Sequence, residues 1–163
     1  MGGQKRIAPE GHSVEDLRTA LNQWRPYTGA GIRVASISAD FREVTVELTL
    51  CDDNQNYFGT HFGGSLSAMT NPFYVLMLAN ILGPGYTVWD TTQTIRYIAP
   101  GRSTVRAHFQ LNEDEIAEAK KRTENGEKYE PVFAVDIVDE AGKVIASVEQ
   151  TLYNPPRSPA AIM

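Results

Sequence analysis

Asn56-Tyr57-Phe58-Gly59-Thr60-His61-Phe62-Gly63-Gly64-Ser65 runs directly into the longest apolar stretch of the chain, residues 66–82. The spacing predicts a glycine-bearing turn opening a long core helix. Gly83-Pro84-Gly85 ends that helix. The first N–H groups of a helix have no intrahelical acceptor, and they carry the positive end of its dipole. A helix that is apolar nearly all round must be covered on all sides. One sheet covers only part of it, so a partner subunit is expected.

Strand patterns lie on both sides of this helix. Before it, residues 32–38 and 41–51 alternate apolar and polar, with Val44, Val46, Leu48 and Leu50 on one face. Asp40 stands in the turn of the hairpin they predict. After the helix come a long strand over residues 86–99, a strand over 103–111, and a hairpin of 130–139 with 143–153. A short polar helix over 112–123 interrupts them, with Asn112 as cap and Glu115 at the box position. A further helix over about 14–24 starts at Ser13 with Asp16 three residues on, and Pro26 and Gly29 close it. Residues 1–12 and the Pro-rich tail from 155 carry no pattern and read as loose. The whole, residues 1–163, reads as one α+β domain with its core over about 32–153: an antiparallel sheet curled around one helix.

A chain of 163 residues has length for a real core. Its 42% apolar and 21% charged residues place it among ordinary globular proteins. The net charge of −5 argues against a nucleic-acid partner. The single cysteine, Cys51, excludes an intramolecular disulfide, fits a reducing compartment, and reads as a buried inert thiol ending a strand. No apolar h-region follows the N-terminus, and the 66–82 run is interrupted by Asn71, Pro72 and Asn80. A cytoplasmic protein with no membrane partner is expected.

Five positions carry candidate chemistry, each with a plainer alternative. Gly63 and Gly64 either make a sharp entry to the helix or present bare N–H groups to a ligand carbonyl, as in a backbone oxyanion hole. Asn71, seven residues after Gly64, is either a buried amide bonded to nearby backbone or a polar group aimed at a ligand by the kink that Pro72 imposes. His61 is either structural or a ligand-positioning donor. Asp90 is disfavoured in mid-strand and calls for a partner. By period-2 alternation it shares a face with Val88, Thr92, Thr94 and Arg96, on a solvated face or lining a site. No His or Cys spacing suits a metal, and no nucleophile elbow, phosphate loop or dinucleotide fingerprint is present. No cofactor is expected.

The order Asn56-x-x-Gly59-Thr60-x-x-Gly63-Gly64, the apolar helix, and Ile95-x-Tyr97-x-x-Pro100 resembles the hotdog-fold acyl-CoA thioesterases, nearest the phenylacetate-type branch. The resemblance spans about residues 32–153, and Val88-Trp89-Asp90 with Pro100-Gly101-Arg102 resembles a bacterial subfamily within it. It implies a curved antiparallel sheet around a central helix, and homodimers, often paired into tetramers, with sites between subunits. It implies an acyl-CoA or other acyl-thioester ligand with its carbonyl at the Gly64 N–H. Asn56 then matches an asparagine that holds substrate or water, Thr92 and Gly63 lie on the substrate side, and Arg102 meets CoA phosphates. The family has His before the glycine pair and Asp or Glu seven residues after it. Here Phe62 and Asn71 stand there, with His61 one residue earlier. An amide orients water but cannot take its proton. The base then falls to Asp90, on the strand that in relatives lines the site from the other subunit. The implied function is thioester hydrolysis by activated water. The alternative is a non-catalytic acyl-ligand binding protein on the same fold.

Overall fold

A computed structural model describes residues 13–157. The chain forms, in order, α1 (Val14–Gln23), α2 (Arg25–Ala30), β1 (Ile32–Ile37), β2 (Glu43–Leu48), α3 (Gly63–Ala68), α4 (Phe73–Leu82), β3 (Trp89–Tyr97), β4 (Val105–Gln110), α5 (Glu113–Glu124), β5 (Val132–Asp139) and β6 (Val144–Tyr153). The six strands make one antiparallel sheet in the order β1-β2-β4-β5-β6-β3. The sheet is curved around the α3–α4 helix, giving the hotdog fold. The expected leader, residues 1–12, lies outside the described residues, as does the expected tail from 155 beyond its first three residues; within those three the Arg157 N–H donates to the Thr123 carbonyl at 3.0 Å, so the start of the tail is tied to α5 rather than loose.

Alternation holds the sheet to the helix. In β4 every second residue, Val105, Ala107 and Phe109, is buried, and β2 buries Val44, Val46 and Leu48 on the same side. These side chains meet α4. Phe73 packs its ring 5.1 Å from Phe109, and Tyr74 stacks on Phe133 at 4.8 Å. The Tyr74 hydroxyl donates to the Ala134 carbonyl at 2.7 Å, and burial pushes its pKa up to about 12, so it stays a donor. Among the described residues, one helical stretch, Gly63–Leu82, is long and apolar enough to cross a membrane, and 61% of its most apolar window is buried inside the fold.

The caps form where the sequence places them. Ser13 Oγ accepts from the Asp16 N–H at 3.1 Å, and Asn112 and Glu115 make a reciprocal capping box at 2.9 and 2.8 Å. Two readings need correction. Pro26 does not close the first helical segment; it lies in the first turn of a second helix, α2, where its missing N–H costs nothing. Cys51 is exposed, because β2 stops at Leu48 and the thiol sits in the following turn. The central helix runs over Gly63–Leu82, and the expected interruption at Pro72, which supplies no N–H to the helical ladder, divides it into α3 and α4.

The end of α2 contains a position where only glycine fits. Gly31 has φ +80°, and a Cβ there would lie 2.7 Å from Asn54 Nδ2. That amide is committed: it donates to the carbonyls of Ala30 at 3.1 Å and Thr49 at 2.8 Å. Gly31→Ala is therefore expected to lower unfolding free energy by about 1–2 kcal/mol, measured by urea denaturation. An unchanged midpoint would mean that this turn adapts freely.

Candidate active site

The loop before α3 is closed by Asn56. Its Oδ1 accepts from the N–H groups of Phe58 at 2.9 Å and Thr60 at 3.2 Å, and its Nδ2 donates to Thr60 Oγ1 at 2.8 Å and to the His61 carbonyl at 3.2 Å. Both ends of the amide are thus engaged within the loop. His61 clamps this loop to the β3–β4 connection: its N–H donates to the Gly101 carbonyl at 3.0 Å, and its Nε2 donates to the Ser103 carbonyl at 2.8 Å. The side chain is 4% exposed, and desolvation lowers its pKa, so the ring is neutral at pH 7. Its Nδ1 has no partner.

The start of α3 separates two cavities. Gly63 and Leu66 line one of about 370 Å³, together with Asn56, Thr60, His61 and the stretch from Tyr97 to Gly101. Gly64, Ser67 and Asn71, one face further round, line the other, of about 340 Å³, whose wall includes Trp24, Tyr27 and Gln93. Gly64 is exposed, and a Cβ there would lie 2.4 Å from Cε1 of Phe62, itself 56% exposed and free to move aside.

The break between α3 and α4 frees backbone carbonyls, and side chains take them up. The Tyr27 hydroxyl donates to the Asn71 carbonyl in a short bond. Burial raises its pKa far above that of a free phenol, so it remains a donor. Gln93 Nε2 donates to the Ser67 carbonyl at 3.1 Å, to Ser67 Oγ at 3.0 Å and to Thr70 Oγ1 at 3.1 Å. The Asn71 side chain donates from Nδ2 to Asp90 Oδ2 at 2.9 Å and to Gln93 Oε1 at 3.5 Å. Nδ2 makes both bonds, so Oδ1 is the end of the amide left for the cavity.

Asp90 reaches Asn71 of its own chain, not of another subunit. Its pKa is raised, first by burial, with the Asn71 bond pulling the other way. Its Oδ1 is buried without a partner. The expected face of β3 is corrected by a bulge. Asp90 pairs with Leu152 but Thr92 with Thr151, so one residue is skipped at Thr91. The bulge shifts the alternation, and Asp90 shares the inner face with Gln93 and Ile95 while Thr92, Thr94 and Arg96 are exposed on the other.

The fold thus brings Gly64, Asn71 and Asp90 together. Asn56, His61 and Gly63 lie on the neighbouring cavity, Thr92 on the outer face of β3, and Arg102, next in the chain after Gly101, is exposed and lines neither cavity. The residues missed in the sequence are Gln93, Gln150 and Tyr27. Gln150, on β6, pairs directly with Gln93 on β3 and donates to its Oε1 at 3.3 Å. The one signal for them was an uncharged amide on each of two facing strands.

Several solved structures share this fold. A Pseudomonas aeruginosa protein of unknown function, described as a probable thioesterase, matches with TM-score 0.79 at 16% identity, over 91% of this chain and 99% of that one. A Haemophilus influenzae thioesterase matches with TM-score 0.65 at 18% identity, over 90% and 92%. The PaaI protein from the phenylacetic acid degradation operon of E. coli matches with TM-score 0.61 at 15% identity, over 88% and 94%. No curated protein matches the chain in sequence. Residues 15–153, which hold all six strands, the α3–α4 helix and every residue of the Asn71 cluster, match one family throughout, and the chain belongs to it: the family described as Domain of unknown function (DUF4442).

Proposed function

We propose that this protein hydrolyses acyl thioesters, with acyl-CoA as the substrate class, in the cavity between α3 and β3. The observation that carries the reading is the placement of Gly64 and Asn71 on one cavity, with a carboxylate oxygen of Asp90 unpartnered behind them. The thioester carbonyl oxygen lies against the Gly64 N–H, where the start of the helix stabilises the charge of a tetrahedral intermediate. Asn71 Oδ1 accepts a hydrogen bond from the attacking water and orients it. Asp90 takes the water's proton as the C–O bond forms. When the C–S bond breaks, the proton passes from Asp90 to the leaving thiolate. A buried, partnerless carboxylate oxygen with a raised pKa suits that exchange. Asn56 and His61 act by holding the loop that sets the helix start, and the exposed Arg102 is assigned to a CoA phosphate. Thr92, on the outer face of the edge strand β3, is assigned to the subunit side of a homodimer or dimer of dimers. A reducing compartment such as the cytoplasm suits the lone exposed Cys51 thiol.

One observation favours a second reading, a non-catalytic acyl-thioester binder: Gly64, Ser67, Asn71 and Gln93, the residues at the heart of the cavity, include no base. Release of free thiol from a panel of acyl-CoAs, run beside a thermal-shift assay with the same compounds, separates the two. Release supports the hydrolase, while a shift without release assigns the binder.

Gly64→Ala tests the carbonyl grip. Phe62 is exposed and moves out of the way of the new methyl, so the fold is expected to keep its melting temperature. Hydrolysis is expected to fall by roughly 10²–10³-fold, because the methyl group holds the carbonyl off the N–H. Full activity in the variant would remove Gly64 from the mechanism.

A further inference from the structure

We propose that Gln93 is a positioning residue that fixes the rotation of the Asn71 amide and keeps it fixed while Asp90 carries a proton. The lock is a property of the chain; its consequence for rate rests on the hydrolase reading above. A carboxamide turned by half a revolution has the same shape with donor and acceptor exchanged, so its neighbours alone decide which end faces a ligand.

Here the decision starts at the backbone. The Ser67 carbonyl is only an acceptor, so the Gln93 end that lies 3.1 Å from it is Nε2, and two hydroxyl oxygens at 3.0 and 3.1 Å share that nitrogen. Oε1 must then point the other way. There it receives Asn71 Nδ2 at 3.5 Å and Gln150 Nε2 at 3.3 Å. Asp90 Oδ2 also holds Asn71 Nδ2, at 2.9 Å. The two acceptors are not equivalent. Asp90 loses its charge, and much of its pull on Nδ2, whenever it is protonated, as in the proposed cycle after the water attacks. Gln93 Oε1 does not titrate. It keeps Nδ2 turned inward and Oδ1 turned to the cavity throughout that interval. A strand residue in the cavity wall thereby sets, through the Asn71 amide, which atom of Asn71 the water meets.

Gln93→Met keeps the length of the side chain and removes every bond. The first readout needs no activity: solvent exchange of the Asn71 side-chain NH2 protons, followed by NMR, is expected to quicken by roughly five- to tenfold. The second is kinetic. A fall in kcat of roughly 10- to 100-fold with little change in KM is expected, since the water's orientation matters in the transition state. In an Asn71→Ala background the same substitution is expected to change kcat by less than about twofold, because the amide it acts through is gone. Unchanged NH2 exchange, or losses that simply add in the double variant, would overturn the lock. Should Gln93→Met not fold, Thr70→Val removes one anchor of Nε2 at constant volume and carries the same NMR measurement. If wild type releases no thiol yet the NH2 protons respond, the hydrolase reading falls and the lock stands.

Discussion

Asp90→Asn is expected to lower thioester hydrolysis by roughly 10²–10⁴-fold and to leave the protein at least as stable as wild type at pH 7. The substitution changes little in shape. An asparagine oxygen still accepts from Asn71 Nδ2, as Asp90 Oδ2 does at 2.9 Å. What is lost is a group that can take a proton from water.

The stability half follows from the direction of the pKa shift. Burial raises the Asp90 pKa above its ordinary value of 3.8, and the Asn71 bond lowers it by less. A group raised on folding contributes stability that is fully present below its unfolded pKa and is lost as the pH climbs through the higher folded value. At pH 7 the buried charge is therefore a cost that the asparagine variant does not carry. Thermal unfolding from pH 3 to 8 should show the variant's advantage shrinking toward acid. The rate should follow the same group: wild-type kcat rises through a pKa above 3.8, while the variant lacks that limb. A variant with full activity would show that Asp90 is not the base. A variant that melts several degrees lower at pH 7 would show instead that the carboxylate serves the fold.

What the sequence disclosed and what it hid divide along a physical line. Local signals read correctly: the caps at Ser13 and Asn112, the glycine entry to α3, and the alternation of β2 and β4 each depend on neighbours within a few residues. The face of β3 did not, because a single bulge at Thr91 reverses the parity of every residue beyond it and nothing in the Thr-rich run marks where the extra residue sits. Asn71 was legible as a departure from a carboxylate, but its meaning came from Asp90, 19 positions away, and from Gln93. Amides on strands carry no periodic signature. Their roles as donor or acceptor are settled by a backbone carbonyl that only the fold brings near.

The packing beneath the site predicts the largest loss of stability. Phe109→Ala is expected to lower the unfolding free energy by about 3–5 kcal/mol. Phe109 is 0% exposed, on the buried face of β4, and its ring meets Phe73 at 5.1 Å and Tyr74 edge-on at 5.2 Å. Both partners belong to the first turn of α4, immediately after Pro72. Removing the ring leaves a cavity that these two neighbours cannot fill, since β4 is held in register by β2 on one side and β5 on the other. For a domain of this size that loss corresponds to a fall in melting temperature of roughly 6–20 °C. The same contact ties structure to chemistry. The start of α4 fixes where α3 ends, and so where Asn71 stands relative to Asp90. At temperatures where the variant remains folded, its kcat is expected to fall further than that of a variant truncated at Ile116, a core residue on α5 that is 3% exposed and remote in sequence from the helix break. Equal kcat in the two variants would mean that Asn71 is held by β3 alone, through Asp90 and Gln93, with no help from the helix packing behind it.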